Sequence, residues 1–83
     1  MSESDIKNLE FEHIIDTPDY RFVCVQVGGR TKSLRIYRDG IVEFYQGGRF
    51  VQLPREQAKD IRLTLGRTQN IPTFALRNGG IGG

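Results

Sequence analysis

The sequence predicts an α+β fold, a four- to five-stranded antiparallel β-meander packed on one face by a single C-terminal helix. Apolar and polar residues alternate with a period of two through residues 20–27 and 33–53, as in half-buried strands. Turns at Asp39-Gly40 and Gly47-Gly48 divide the second stretch into three strands. An apolar stripe with helical spacing follows Pro54.

The N-terminal residues 1–8 are polar and acidic, and we interpret them as a flexible leader to a domain of residues 9–67. Residues 9–15 alternate as a strand with Leu9 and Phe11 inward and Ile15 as a further candidate, and a short helix is the alternative. Residues 16–19 form a turn, because proline presets φ and aspartates accept hydrogen bonds from nearby amides.

The strand at residues 20–27 places three valines, at positions 23, 25 and 27, on one face. We expect residues 28–32 to form the following loop, with Arg30 and Lys32 at its tip. This loop would place Val25 near Ile36 and Val27 near Leu34.

Turn chemistry fixes the register of the next three strands. Gly47-Gly48 suits a two-residue primed turn, in which glycine adopts φ > 0 without steric cost. A three-residue loop of residues 38–40, closed by a left-handed Gly40, keeps apolar residues on one face, whereas a two-residue loop mixes the faces. The predicted pairs are Tyr45–Phe50, Phe44–Val51, Glu43–Gln52, Val42–Leu53, Ile36–Val42, Leu34–Phe44 and Arg35–Glu43.

Pro54 begins the predicted helix, because the first N–H groups of a helix have no intrahelical acceptor and proline lacks an N–H. Gly66 is expected to end the helix, as glycine often does at a C-terminus. The apolar stripe that packs on the sheet is Ala58, Ile61 and Leu65. A basic stripe, interpreted as the solvated side, is Arg55, Lys59 and Arg62. Residues 68–83 form an arm with a flexible glycine-rich end, and residues 73–77 can extend as an edge strand.

Composition limits the classes of protein. A domain of 83 residues buries only about 60–65% of its unfolded surface and often relies on a partner subunit. No apolar run is long enough to cross a membrane, and no secretory signal is evident. A single cysteine, Cys24, excludes an intramolecular disulfide and favours the reducing cytoplasm.

The net charge of +2 divides unevenly along the chain. Residues 1–19 carry a net charge of −5 and residues 20–83 a net charge of +7. A basic body with an acidic leader is typical of a polyanion-binding surface, and ordinary solubility charge is the alternative interpretation.

Enzymatic chemistry has no evident site. His13 has no cysteine or carboxylate at a spacing that indicates a catalytic pair, and Cys24 lies within a strand. We interpret both residues as having no catalytic role. The glycine pairs match neither the phosphate-binding loop GxxxxGK(S/T) nor the dinucleotide-binding motif GxGxxG. The sequence also lacks the cluster of His, Cys and carboxylate residues that a metal site needs. We therefore expect no enzyme activity, no cofactor and no metal.

The face of the sheet opposite the helix, called here the outer face, is the predicted binding surface. It collects Phe22, Gln26, Arg35, Tyr37, Tyr45, Phe50 and Gln52, with Arg30, Lys32 and Arg49 expected around its rim. Rings stack on bases while cations follow phosphates, which favours nucleic acid, single-stranded DNA or RNA, as the ligand. The candidate contact residues are Arg30, Lys32, Arg35, Tyr37, Tyr45, Arg49 and Phe50.

The same aromatic composition is also found at protein interfaces. The outer face is therefore alternatively a homodimer interface, a surface covered by the C-terminal arm, or the docking face of a small inhibitor or adaptor. We expect a homodimer whether the ligand is nucleic acid or protein, because a small sheet with one helix leaves apolar surface and strand edges exposed.

A family resemblance adds to this interpretation. Residues 47–61, GGRFVQLPREQAKDI, are similar to the final strand and helix start of the PC4/p15 transcriptional-coactivator domain, and residues 23–27 and 33–38 are similar to its strands. The resemblance covers about residues 20–65 and rests on architecture and spacing. It implies a homodimer that binds single-stranded DNA across a curved sheet and acts in transcription. The contact candidates that it implies are Lys32, Arg35, Tyr37 and Arg49.

Overall fold

The computed structural model describes residues 1–75, and the glycine-rich end predicted for the C-terminal arm lies outside the described residues. Two helices and six strands follow one another in the order α1, β1–β5, α2, β6. Their bounds are α1 Glu3–Lys7, β1 Glu10–Asp16, β2 Tyr20–Val27, β3 Arg30–Tyr37, β4 Val42–Gln46, β5 Arg49–Gln52, α2 Arg55–Arg67 and β6 Thr73–Ala75.

The six strands form one sheet in the order β5-β4-β3-β2-β1-β6. Strands β1 to β5 are a continuous antiparallel meander, which confirms the predicted α+β class. The predicted strand number is too low, because β6 adds to the edge of the sheet, parallel to β1. This pairing confirms the edge-strand interpretation for Thr73–Ala75.

The register of β3, β4 and β5 is confirmed. Leu34 pairs with Phe44, Arg35 with Glu43, and the second hairpin has the predicted pairs. Gly40, at φ +98°, closes a three-residue loop in which its N–H donates to the Tyr37 carbonyl at 3.1 Å. Because this conformation is strained for any residue with a Cβ, glycine is required there.

The turn between β2 and β3 is shorter than predicted. Gly28 and Gly29 have φ of 57° and 79°, the pattern of a two-residue primed turn, so Val27 pairs with Arg30. Residues 30–32 therefore belong to β3, and the residue opposite Leu34 is Val23 instead of Val27. The predicted neighbours were wrong, but the shift is an even number of residues, so the faces are unchanged.

Leu9 and Phe11 lie inward as expected, but a β-bulge at Glu12 reverses the facing of the rest of β1. Phe11 pairs with Val25 and His13 pairs with Cys24, which leaves Glu12 as the extra residue. After the bulge, Ile14 points into the core and is 4% exposed, whereas Ile15 lies on the other side. The inward placement expected for Ile15 was wrong because one inserted residue exchanges the two faces.

The hydrophobic core lies on a single side of the sheet, between its valine-rich face and both helices. Ala58 and Ile61 of α2 and Ile6 of α1 belong to the same buried cluster as the strands. The segment predicted as a flexible leader is thus helical and packed. Ser2 and Asp5 form a capping box at its start, and Ile6 is 4% exposed.

Helix α2 begins after Pro54 as predicted and continues through Gly66 to Arg67. Gly66 is therefore an interior helix residue rather than the stop. Since both helices pack on the core side, neither covers the outer face. No described helix is long and apolar enough to cross a membrane.

Candidate binding face

The centre of the outer face is a group of contacting side chains that we call the Arg35 cluster. Strand alternation and the register of β2 to β5 bring these side chains to one side of the sheet. The Arg35 cluster consists of Tyr20, Phe22, Arg35, Tyr37, Glu43, Tyr45 and Phe50.

Arg35 lies between aromatic rings and a carboxylate. Its Cζ is 3.6 Å from the centroid of the Phe50 ring and 5.3 Å from that of Tyr20. Its Nη1 lies 3.6 Å from Oε1 of Glu43, directly opposite on β4. Proximity to the Tyr37 hydroxyl raises the pKa of the Arg35 guanidinium, and burial opposes this increase. The Nε atom is buried without a hydrogen-bond partner among the described residues.

Glu43 connects the cation to a tyrosine, because the Tyr37 hydroxyl donates a 2.8 Å hydrogen bond to Oε1 of Glu43. The same carboxylate oxygen therefore accepts from Tyr37 and faces Arg35. The side chains of Arg35 and Glu43 are 31% and 25% exposed, so water screens this pair less than a surface pair. The pair is thus a fixed part of the surface.

The rings pack edge to face. The Phe50 centroid is 5.1 Å from that of Tyr45 and 6.4 Å from that of Phe22, with interplanar angles of 68° and 72°. Tyr20 and Tyr37 form a second pair at 5.5 Å. Such pairs add about 0.5–1.5 kcal/mol each beyond burial. The rings are therefore packed against each other as well as presented to solvent.

A fourth aromatic pair extends the outer face to the opposite edge of the sheet. His13 and Phe74 have ring centroids 6.4 Å apart, and Phe74 is 59% exposed. Phe74 pairs with Ile15, which pairs with Phe22 of the Arg35 cluster. Apolar side chains therefore continue from the Arg35 cluster on β2 through Ile15 to Phe74 on β6.

Four of the seven predicted contact residues come together in the Arg35 cluster: Arg35, Tyr37, Tyr45 and Phe50. The other three do not. Arg30 and Lys32 pair with the core residues Val27 and Val25, so alternation places them on the core side.

Arg49 pairs with Gln46 and lies on the same side of its hairpin as Phe44 and Val51. The rim of cations predicted around the rings was therefore wrong. Arg30 and Lys32 are on the core side because the turn before them is short. They belong to β3 and not to a loop, so strand alternation decides which face each side chain occupies.

Sequence reasoning missed several members of the outer face, among them Tyr20, Glu43, Phe74 and the outward residues of β1. Tyr20 alternates with Phe22 and could have been included on that signal, and Glu43 follows from its predicted pairing with Arg35. Phe74 had no such signal, because its position depends on the parallel pairing of β6 with β1.

The outer face is not basic. Arg35 is the one lysine or arginine that alternation places there among the strands of residues 1–75, and it is paired with Glu43. Two further carboxylates lie on this side: Glu10 is opposite Gln26, and Glu12 accepts a hydrogen bond from the Gln26 amide. Carboxylates thus exceed cations on this surface.

Reactive chemistry on the outer face is limited. Burial, with a smaller contribution from Glu12, raises the pKa of the Cys24 thiol, which lowers its thiolate fraction and its nucleophilicity. Within residues 1–75, no three His, Cys, Asp or Glu side chains are grouped so that they could hold a metal ion.

No family model, curated protein or solved structure matches this chain. The resemblance to the PC4/p15 domain therefore stays a prediction.

Proposed function

We propose that the chain is a non-catalytic protein-interaction module that docks on a partner protein through its outer face. The observation that carries this proposal is the Arg35 cluster, in which one arginine is held by the Phe50 ring and by Glu43 on an open sheet. Aromatic residues and arginine are enriched at the centres of protein interfaces, where they contribute most of the binding energy.

Preorganisation supports the same proposal. The edge-to-face rings and the Tyr37–Glu43 hydrogen bond hold the side chains in fixed positions before a ligand arrives. A preformed surface loses less conformational entropy on association than a mobile one. The exposed parts of Tyr45 and Phe74, 46% and 59%, provide apolar area for contact.

Charge indicates the kind of partner. Glu10 and Glu12 lie on the same face next to Gln26, whereas Arg35 is already paired with Glu43. Electrostatic complementarity therefore favours a partner whose contact surface is apolar at its centre and neutral to basic at its edge. The free cysteine, Cys24, is consistent with a cytoplasmic module, which is part of the proposal.

Single-stranded nucleic acid, the ligand that the sequence favoured, is the second candidate. The observation that favours it is the exposure of the Tyr45 and Phe74 rings, because a base stacked on such a ring contributes about 1–3 kcal/mol. We place it second because phosphates need unpaired cations near the rings. The nearest candidates, Arg30, Lys32 and Arg49, are on the core side by their pairing.

Binding measurements on the full chain separate the two candidates. Fluorescence anisotropy with labelled single-stranded DNA, single-stranded RNA and duplex of equal length is expected to show no saturable binding at low salt. Pull-downs with the wild-type chain should retain a partner that Tyr45→Ala and Phe74→Ala both lose. Leu63→Ala is the matched control, because Leu63 is 48% exposed on α2, away from the outer face.

Two results would contradict the proposal of a protein partner on the outer face. Salt-sensitive binding to a single strand, weakened by about 1–3 kcal/mol in Tyr45→Ala, would establish nucleic acid as the ligand of the outer face. A partner lost equally from the Leu63→Ala variant would show that docking does not use this face.

A further inference from the structure

We propose that the chain has a second site, on the core side of the sheet, which binds the phosphate group of a small anionic ligand. The site is the cleft between the Arg38–Gly40 turn and helix α2. It has a volume of about 500 Å³, within the range of ligand-binding clefts. This inference is independent of the function proposed for the outer face.

The cleft combines an apolar floor with cationic walls. Leu53 and Ala58 are 4% and 3% exposed and form buried parts of the lining, and Ile41, 37% exposed, adds an accessible apolar surface. Arg55 and Arg62, two turns apart on α2, line the same cleft. An apolar surface with a few convergent charges is the usual composition of a small-molecule site.

Gly40 makes room for one of these cations. A Cβ added to Gly40 would lie 3.2 Å from Nη1 and 3.3 Å from Cζ of Arg62, so the guanidinium rests where a side chain would otherwise be. The turn and the arginine thus pack against each other, which places the guanidinium beside the cleft. Glycine at this position serves the backbone conformation and the cation together.

Both arginines are free to bind an anion. Within residues 1–75 the ion pairs are Arg21–Asp16 and Arg35–Glu43, and neither involves Arg55 or Arg62. A guanidinium binds phosphate through two parallel charge-assisted hydrogen bonds, which are stronger than neutral ones. Two unpaired guanidinium groups on one cleft therefore favour a phosphate.

One carboxylate, that of Asp39, also lines the cleft. Its Oδ1 accepts a 3.1 Å hydrogen bond from the Ile41 N–H, which holds it against the turn. The charge of the lining remains positive, with two arginines against one aspartate. Asp60 of α2 lines a different groove, beside α1, and does not offset this charge.

The start of α2 adds a further favourable field. Its N-cap is Pro54, which provides no side-chain hydrogen bond, so the first N–H groups of this 13-residue helix have no side-chain cap. The positive end of the helix dipole lies beside Leu53 and Arg55, which line the cleft. Glu56 in the same first turn offsets part of this field, so the two arginines provide most of the attraction for an anion. The ligand class is therefore a phosphate ester with an apolar or aromatic group, of mononucleotide size.

The test is an NMR titration of the full ¹⁵N-labelled chain with adenosine monophosphate, inorganic phosphate and adenosine at low salt. Saturable shifts are expected with the monophosphate at Gly40, Ile41 and the first turn of α2, with weaker shifts from phosphate. Arg62→Gln and Arg55→Gln should each weaken monophosphate binding by about tenfold or more, as expected for the loss of charge-assisted hydrogen bonds.

Arg67→Gln is the matched control, because it removes the same charge from the same helix beside the α1 groove. It should change the affinity by less than about twofold, the effect of an exposed charge at a distance. An equal loss of monophosphate affinity in Arg67→Gln would overturn the proposal. Chemical-shift changes spread over all basic residues would do the same, because both results indicate nonspecific charge attraction. The absence of saturable shifts at millimolar monophosphate would also overturn it.

Discussion

The guanidinium carbon of Arg35 lies 3.6 Å from the centroid of the Phe50 ring, two strands away across the sheet. The contact spans β4, whose Glu43 lies 3.6 Å from the same guanidinium. The register predicted the Arg35–Glu43 pair, and the structure adds the ring above it. This three-residue contact joins β3, β4 and β5 on the outer face.

Phe50→Leu should lower the free energy of unfolding by about 1–2 kcal/mol, because the change removes the cation–π contact and two edge-to-face ring pairs. Urea denaturation followed by circular dichroism measures the effect. Tyr45→Leu is the control, since it removes one of these ring pairs and no contact with Arg35. Equal losses in the two variants would mean that the Arg35–Phe50 contact contributes nothing.

Gly40→Val should destabilise the domain by about 1–3 kcal/mol, because φ of +98° is strained for a residue with a Cβ and the side chain would meet Arg62. Asp39→Ala should cost less, since it removes one hydrogen bond to the Ile41 N–H. Both values come from denaturant melts. Two neutral variants would contradict the turn assignment.

Gly66→Ala should raise stability, in contrast to the substitution at Gly40. Gly66 is the second-to-last residue of α2 and has no positive φ, and an added Cβ meets nothing within 4 Å. Alanine should therefore stabilise the domain by up to about 1 kcal/mol through helix propensity. A loss of stability here would show that the helix ends at Gly66 in solution.

Ile6→Ala should cost about 2–4 kcal/mol, because Ile6 is 4% exposed and joins α1 to the core. Deletion of residues 1–8 should be at least as destabilising, in contrast to the removal of a flexible leader. The thermal midpoint and the urea midpoint both report the change. Lys7→Ala, at an exposed neighbouring position, is expected to remain within about 0.5 kcal/mol of the wild type.

Cys24 should react slowly with iodoacetamide in the folded chain. Burial and the nearby Glu12 raise the pKa of its thiol, so the thiolate forms at higher pH than in the unfolded chain. The alkylation rate plotted against pH should therefore have a higher midpoint in buffer than in urea. Glu12→Gln should move the folded midpoint downward, and no movement would leave burial as the sole cause.

A homodimer remains the expected assembly. Sedimentation equilibrium at tens of micromolar should show a species of twice the monomer mass. Tyr45→Glu should leave this dimer intact, because the outer face, with its excess of carboxylates, is proposed to dock on a different protein and not on a second copy. A shift to monomer in this variant would show that two copies meet through the outer face, and a monomer for the wild-type chain would contradict the expected dimer.

The sequence by itself determined the central part of the sheet. The glycines at positions 40, 47 and 48 admit only certain turn conformations, and a turn fixes the register of the strands it joins. The pairing of Arg35 with Glu43 and the shared face of Arg35, Tyr37, Tyr45 and Phe50 followed from that local information. These predictions succeeded because the interacting segments are adjacent in the chain.

Tertiary structure decided the remainder. Helix α1 has five residues, too few to be stable in isolation, so it depends on burying Ile6. The bulge at Glu12 and the parallel pairing of β6 with β1 depend on neighbours that the local sequence does not specify. The core-side positions of Arg30 and Lys32 follow from where β3 begins, and strand alternation then places both cations away from the rings.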